Sequence, residues 1–266
     1  MVDKALRGPE RPLLFLGSDG SAAGNMTLMA NTVDLETDVP PPHLMQYGEA
    51  ANRHLSTGKL NADQLLRALT KGGYAFMPGH RFLDFGCANG RVLRWFKDWA
   101  EQGEGWGVDI NANPINWCSE TLSPPFHFAL TSTFPHLPFE DRYFDLIFAN
   151  SVFTHIDDTF FSWIQELRRV TQLQGYLYVT IIDETGAARM NAGDESLLLR
   201  REKDTVDVEN FMSGKANFLA LRRGGILTLV RSDFFTSQVK RWFDVSSVVP
   251  NTVGGNQTGY LLRRKS

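Results

Sequence analysis

The fifteen residues 82–96, FLDFGCANGRVLRWF, constrain the architecture of this chain more than any other stretch. An apolar run (Phe82, Leu83, Phe85) carries a single acid, Asp84, and breaks at Gly86. Gly90 follows, and then Val92, Leu93, Trp95 and Phe96 recur at helical spacing. The pattern predicts a buried strand, a tight glycine turn and a helix over Arg91–Trp99. In α/β folds that junction sits at the carboxyl edge of the sheet, where anionic and nucleotide-like ligands bind.

A second acid reinforces the reading. Asp109 closes the next apolar stretch, WGVDI, 19 residues beyond Gly90. An acid at that distance, ending the second strand, is placed to accept hydrogen bonds from a ribose diol. The pair of features predicts an adenosine-bearing ligand.

The rest of the chain alternates. Strands are expected at His80–Phe85, Gly105–Ile110, Phe126–Leu130, Phe144–Asn150 and Leu177–Ile182, with helices over Pro114–Leu122 and Asp158–Val170. Strands alternating with helices imply a parallel, doubly wound sheet with right-handed crossovers. A helix is expected from Asn61, capped by Asn61 with Gln64, and ended by Gly72-Gly73. Near the end, a helix from Ser232 to Trp242 precedes strands at Val245–Val249 and Thr258–Arg263. About nine residues separate those two strands, too few for a crossover of ~10–12 residues, so they should pair antiparallel.

Four segments are expected: an N-terminal arm and cap over 1–57, a nucleotide-binding core over 58–182, a lid or substrate-facing insertion over 183–225, and completion of the sheet over 226–266. A net charge of −3 gives no reason to expect a nucleic-acid partner. No apolar run approaches the ~18 residues of a bilayer span, so no membrane association is expected. Two cysteines, Cys87 and Cys118, form no disulfide framework and suit a reducing cytoplasm. The six histidines show no metal-ligand spacing, so no metal is expected.

The glycine pattern discriminates between ligands. A dinucleotide fingerprint needs G-x-G-x-x-G, and the frame from Gly86 puts Ala88 and Arg91 at its second and third glycines. What stands is D-x-G-x-x-x-G. Together with Asp109, the run LPFEDRYFDLIFANSVFTHI (137–156) and the stretch WIQELRRVTQLQG (163–175), this resembles the class I S-adenosylmethionine-dependent methyltransferases from about residue 41 onward. Ala88 replaces the middle glycine of that family's first motif, and the acid often found near Thr131 is missing. The SVFTHI version resembles a bacterial subgroup.

The resemblance implies a Rossmann-like, seven-stranded, mostly parallel sheet with an antiparallel C-terminal strand. It implies S-adenosylmethionine as cofactor and S-adenosylhomocysteine as product, with methyl transfer to an oxygen or nitrogen of a small molecule or glycan. The other reading is a binding module that keeps the pocket, does not catalyse and acts as a partner of another enzyme. Cofactor-binding positions are then Asp84, Gly86, Cys87, Ala88 and Gly90 at the first turn, with Asp84 near the methionine ammonium. Asp109 and Ile110 would hold ribose and adenine, Ser132, Thr133 and Phe134 the adenine edge and face, and Asn150 and Ser151 the methionine end. His155, just past the fourth strand, is a candidate general base, and Asp183, past the fifth, a second acid/base candidate. Tyr47, Gly48 and Arg53 precede the first helix and are candidates to close over the ligand.

Overall fold

The computed structural model describes Asp34 and residues 38–45, 51–191, 205–222 and 225–266. Most of the expected N-terminal arm, with Tyr47 and Gly48, lies outside the described residues, as do 192–204 of the expected insertion.

Seven strands form one sheet in the order β3-β2-β1-β4-β5-β9-β8. They are β1 (Arg81–Phe85), β2 (Glu104–Asp109), β3 (Phe126–Leu130), β4 (Phe144–Ala149), β5 (Thr171–Ile181), β8 (Phe243–Val249) and β9 (Thr258–Arg264). Strands β1 to β5 run parallel. β9 pairs antiparallel with both β5 and β8, so the terminal hairpin is present and its second strand fills the gap beside β5. The parallel strands are those that the alternation implied, and the Rossmann-like seven-stranded sheet is the one that the resemblance implied.

Alternate side chains of the strands feed two separate cores, as the period of two requires. Leu83, Ile147, Leu177 and Val179 face one side, against Trp163, Ile164 and Leu167 of α4 (Phe160–Val170) and Phe235 of α7 (Ser232–Val239). Phe82, Leu146, Phe148 and Tyr178 face the other, against Leu65 and Leu69 of α1 (Ala51–Lys71), Phe96, and Cys118 of α3 (Ala112–Thr121). Each fully buried phenylalanine here contributes about 2–3 kcal/mol of transfer free energy. Covering both faces makes the strands read as near-continuous apolar runs.

Several elements differ from expectation for local reasons. α1 begins ten residues before Asn61, which sits buried mid-helix and caps nothing. The turn after Gly90 does not enter an α-helix at Arg91; a 3-10 segment, Leu93–Phe96, precedes α2 (Lys97–Gln102). β5 starts directly after α4, before the expected Leu177, and carries an irregularity with Gln174 at φ +63° and a register shift against β4. α7 stops at Val239, and the Ser232 hydroxyl donates to Glu184 instead of capping it.

Between β5 and α7 the chain forms α5 (Glu184–Asn191), α6 (Thr205–Met212) and a hairpin of β6 (Phe218–Arg222) and β7 (Ile226–Val230). These elements have a small core of their own, built on Ala187, Val208, Phe211, Leu219 and Leu229. The hairpin crosses the boundary expected at 225/226, and α1 crosses the one at 57/58. No helix among the described residues is long and apolar enough to cross a membrane.

Candidate active site

The glycine turn closes by backbone bonds before any ligand is considered. Gly86 and Cys87 both donate their N–H groups to the Val108 carbonyl, at 2.8 and 3.0 Å, which ties the end of β1 to β2. Gly86 has φ +78°, and a Cβ there would lie 2.4 Å from a Val152 methyl, so both conformation and space demand glycine. Ala88 also has positive φ, +48°, although it carries a Cβ. Its N–H donates to Asp109 Oδ2 at 2.9 Å, while Asp109 Oδ1 accepts from the Asn111 N–H at 2.9 Å. The second-strand acid therefore braces both the first turn and the start of α3. Asn111 caps α3 through the Asn113 N–H.

Asp84 is only 2% exposed. Burial, then the nearby Asp109 charge, pushes its carboxyl well above the usual range, against the pull of Arg91 and the Leu93 amide. A buried acid in that state gains from a cation brought by a ligand.

A cleft of about 1000 Å³ opens over the carboxyl ends of β1, β2 and β4. Its walls contain Asp84, Gly86, Cys87, Ala88, Asp109, Ile110, Ser132, Thr133, Asn150, Ser151 and His155, so residues from four separate sequence regions converge there. Gly90, at φ +68°, shapes the turn from behind, where a Cβ would meet Leu122. Phe134 is not in the wall. It is 73% exposed, and the Ser132 hydroxyl accepts its backbone N–H, which turns the chain outward there.

Asp183 does not line the cleft either, and the bonds of its Oδ1 are to backbone. It is buried, and its Oδ1 accepts the N–H groups of Thr185 and Gly186 at 3.0 and 2.9 Å, capping α5. The Tyr260 hydroxyl bonds to it as well. Its neighbour Glu184 serves α7, accepting the Ser232 N–H and hydroxyl.

Just past β4, Asn150 Nδ2 is buried with no hydrogen-bond partner among the described residues. Ser151, at φ +61°, is held by a closed ring of bonds. Its N–H donates to Thr180 Oγ1 at 2.7 Å, Thr180 Oγ1 donates to Gln257 Oε1 at 2.6 Å, and Gln257 Nε2 donates to Ser151 Oγ at 2.7 Å. His155 follows in a 3-10 turn, Phe153–His155, with Nδ1 3.0 Å from the Ile226 carbonyl of β7.

Two walls escaped the sequence reading. α1 lends His54, Thr57, Asn61 and Gln64, a polar stripe at three- and four-residue steps that faces the cleft, and Arg53, which was expected before the first helix, lies inside α1 and joins them. His54 is 1% exposed with neither ring nitrogen partnered, and burial together with Arg94 and Arg91 lowers its pKa to about 4, so its ring is neutral. The second wall is the loop between β8 and β9, including Asn251, Thr252, Gly254 and Gln257, for which the sequence carries no signal. Among the described residues no group of three His, Cys, Asp or Glu could hold a metal ion.

Comparison with known proteins agrees with this geometry. The family described as Methyltransferase domain matches residues 83–179, from within β1 to within β5. A segment of 107 residues is 30% identical to an uncharacterized methyltransferase of Schizosaccharomyces pombe, covering 36% of this chain and 38% of that protein. The chain thus spans well under half the length of that curated relative. Among solved structures, a protein of Pyrococcus horikoshii OT3 superposes with a TM-score of 0.57 at 16% identity, over 84% of this chain and 96% of its own. The 1,6-didemethyltoxoflavin-N1-methyltransferase of Burkholderia thailandensis, solved with 1,6-didemethyltoxoflavin and S-adenosylhomocysteine bound, gives 0.53 at 11% identity over 80% of each chain. At those identities the likeness is one of fold. The likeness to the methyltransferase domain family thus rests on residues 83–179, and beyond them it is one of fold.

Proposed function

We propose that the protein transfers the methyl group of S-adenosylmethionine to an oxygen or nitrogen of a small molecule or glycan, releasing S-adenosylhomocysteine. The observation that carries this reading is the meeting of the D-x-G-x-x-x-G turn, Asp109 and Asn150 in one cleft, within the segment that matches the methyltransferase family. The site suits the cofactor's charges. Buried Asp84, whose charge burial and Asp109 disfavour, matches an ammonium group, while the orphaned Asn150 Nδ2 matches a carboxylate oxygen. The two oxygens of Asp109, each with a remaining lone pair, match a ribose diol, with exposed Ile110 beside them for the base.

When bound, the cofactor supplies a methyl on a positively charged sulfur, and methyl transfer then needs nucleophile, carbon and sulfur in line. The chain's contribution is alignment, exclusion of water and custody of one proton. The Ser151–Thr180–Gln257 ring fixes the floor beneath the methionine end, and His155 stands at the cleft wall as proton acceptor. Ile226, the first residue of β7, lines the same cleft, which supports reading the β6–β7 hairpin as a cover on the acceptor side. The bacterial-subgroup assignment is supported by Ser151–Ile156 alone, and a cytoplasmic setting by two free, buried cysteines.

Thermal titration tests the cofactor. S-adenosylmethionine and S-adenosylhomocysteine should raise the melting temperature and NAD should not. Stabilisation by NAD without stabilisation by S-adenosylhomocysteine refutes the reading.

A further inference from the structure

One rung of the inserted hairpin grips the segment that carries His155. Arg222 and Ile226 lie directly opposite each other across β6 and β7. From that rung the Arg222 guanidinium pairs with Asp157 and reaches within 3.7 Å of Asp158. Its other member, Ile226, presents its carbonyl 3.0 Å from His155 Nδ1. His155 and Asp157 are two residues apart, so both ends of a three-residue stretch are held by the same rung. The far end of the hairpin is anchored to the main sheet, where the Val230 N–H donates to the Ile182 carbonyl at 3.0 Å.

The contact at His155 has a chemical consequence. A carbonyl oxygen can only accept, so Nδ1 carries the hydrogen and the lone pair of the neutral ring resides on Nε2. Nε2 makes no hydrogen bond to a described residue, and the ring is exposed in the cleft wall. Asp157, the nearest acid along the chain, is engaged by Arg222 and does not compete for the ring.

We propose that the β6–β7 hairpin is a positioning element that locks His155 in the Nδ1–H form, making Nε2 the proton acceptor for a methyl acceptor with a neutral hydroxyl or amine. The inference rests on the methyltransferase reading and says which atom of this chain serves it. As the acceptor's lone pair forms its bond to the methyl carbon, the carbon–sulfur bond breaks and its electron pair stays on sulfur. The acceptor's proton passes to Nε2, leaving an imidazolium that returns the proton to water. An acceptor that arrives as an anion, such as a carboxylate or thiolate, would have no use for this arrangement.

The test needs no known acceptor. Two-bond proton–nitrogen correlation spectra of histidine-labelled protein, taken with S-adenosylhomocysteine at about pH 8.5 where imidazoles are neutral, distinguish the two tautomers. His155 should appear in the Nδ1–H form. Arg222→Gln and Asp157→Asn should each shift the tautomer ratio towards Nε2–H by a few fold, the modest effect expected of an exposed ion pair. The double variant should be no worse than either single one, because both remove the same pair. An Nε2–H tautomer in the unaltered protein, or a ratio that neither variant moves, overturns the proposal. Affinity for S-adenosylhomocysteine, measured on the same samples, separates the two ideas. Its absence in the unaltered protein would defeat the methyltransferase reading, whereas the tautomer ratio addresses the hairpin alone.

Discussion

Ala88 holds a backbone conformation that costs an alanine roughly 1 kcal/mol and a glycine nothing. The bond from its N–H to Asp109 compensates, and the turn keeps its shape. Ala88→Gly should therefore leave the cofactor site intact and change stability by less than about 1 kcal/mol, strain relief opposing the greater freedom of the unfolded chain. Urea melts read this directly. Asp109→Ala removes the proposed ribose contacts and the brace together, and should weaken S-adenosylhomocysteine binding at least tenfold, since a hydrogen bond to a charged group is worth ~1.5–3 kcal/mol. Unchanged affinity in calorimetry would remove Asp109 from the site.

Asp84 gives a pH dependence. Burial raises its folded pKa above the ordinary 3.8, so its stabilising neutral form is fully present below that value and stability falls as pH rises towards the raised one. A bound cation favours the carboxylate, so cofactor binding should expel a proton and tighten with rising pH across the same window. Calorimetry in two buffers of different ionisation enthalpy should show that proton release, and Asp84→Asn should abolish it.

Helix α1 meets the glycine turn at Gly58, where an added Cβ would sit 2.3 Å from the Arg91 carbonyl. Glycine inside a helix costs about 1 kcal/mol, and here it permits the close approach that sets the polar stripe against the cleft. Gly58→Ala should destabilise the fold by ~1–2 kcal/mol net, as overpacking outweighs the gain in helix propensity. It should also lower cofactor affinity, because the helix must back away from the turn. If the variant melts higher and binds equally, the contact is not what places α1.

The same helix shows where the sequence stopped being readable. Its C-terminal half, with Leu65 and Leu69 in the core, announces itself by apolar period, whereas residues 51–60 turn a mostly polar, largely exposed face to the cleft and resemble a loop. The five parallel strands were legible because burial on both faces forces continuous apolar runs. The first turn and Asp109 were legible because backbone geometry restricts which residues fit. Asp183 misled because a helix cap and a catalytic acid look alike at the end of a strand; only its bonds to Thr185 and Gly186 separate them. Gln257 was invisible because its partners, Thr180 and Ser151, lie 77 and 106 residues away.

At the scale of the molecule, the last strand in sequence is interior to the sheet. β9 lies between β5 and β8, its residues Thr258 to Leu262 are buried, and its antiparallel pairing with β5 extends from Tyr176–Arg263 to Ile181–Thr258. Gly259 is packed so closely that a Cβ would fall 2.2 Å from the Tyr178 hydroxyl. Long-range pairing of this kind forms late, because the loop between the strands must be closed before any bond repays it. It also couples the chain's end to the site, since Gln257 at the head of β9 closes the ring that holds Ser151. Two variants separate these roles. A chain ending at Asn256 should lose cooperative unfolding and S-adenosylhomocysteine binding together, because β5 and β8 are left with open edges over buried apolar surface. Gln257→Leu keeps the sheet but leaves the Thr180 and Ser151 hydroxyls without that partner, so it should cost about 1–3 kcal/mol and lower cofactor affinity while unfolding stays cooperative. Truncated protein that still melts in one transition and binds S-adenosylhomocysteine would show that β1 to β5 carry the fold and the site alone.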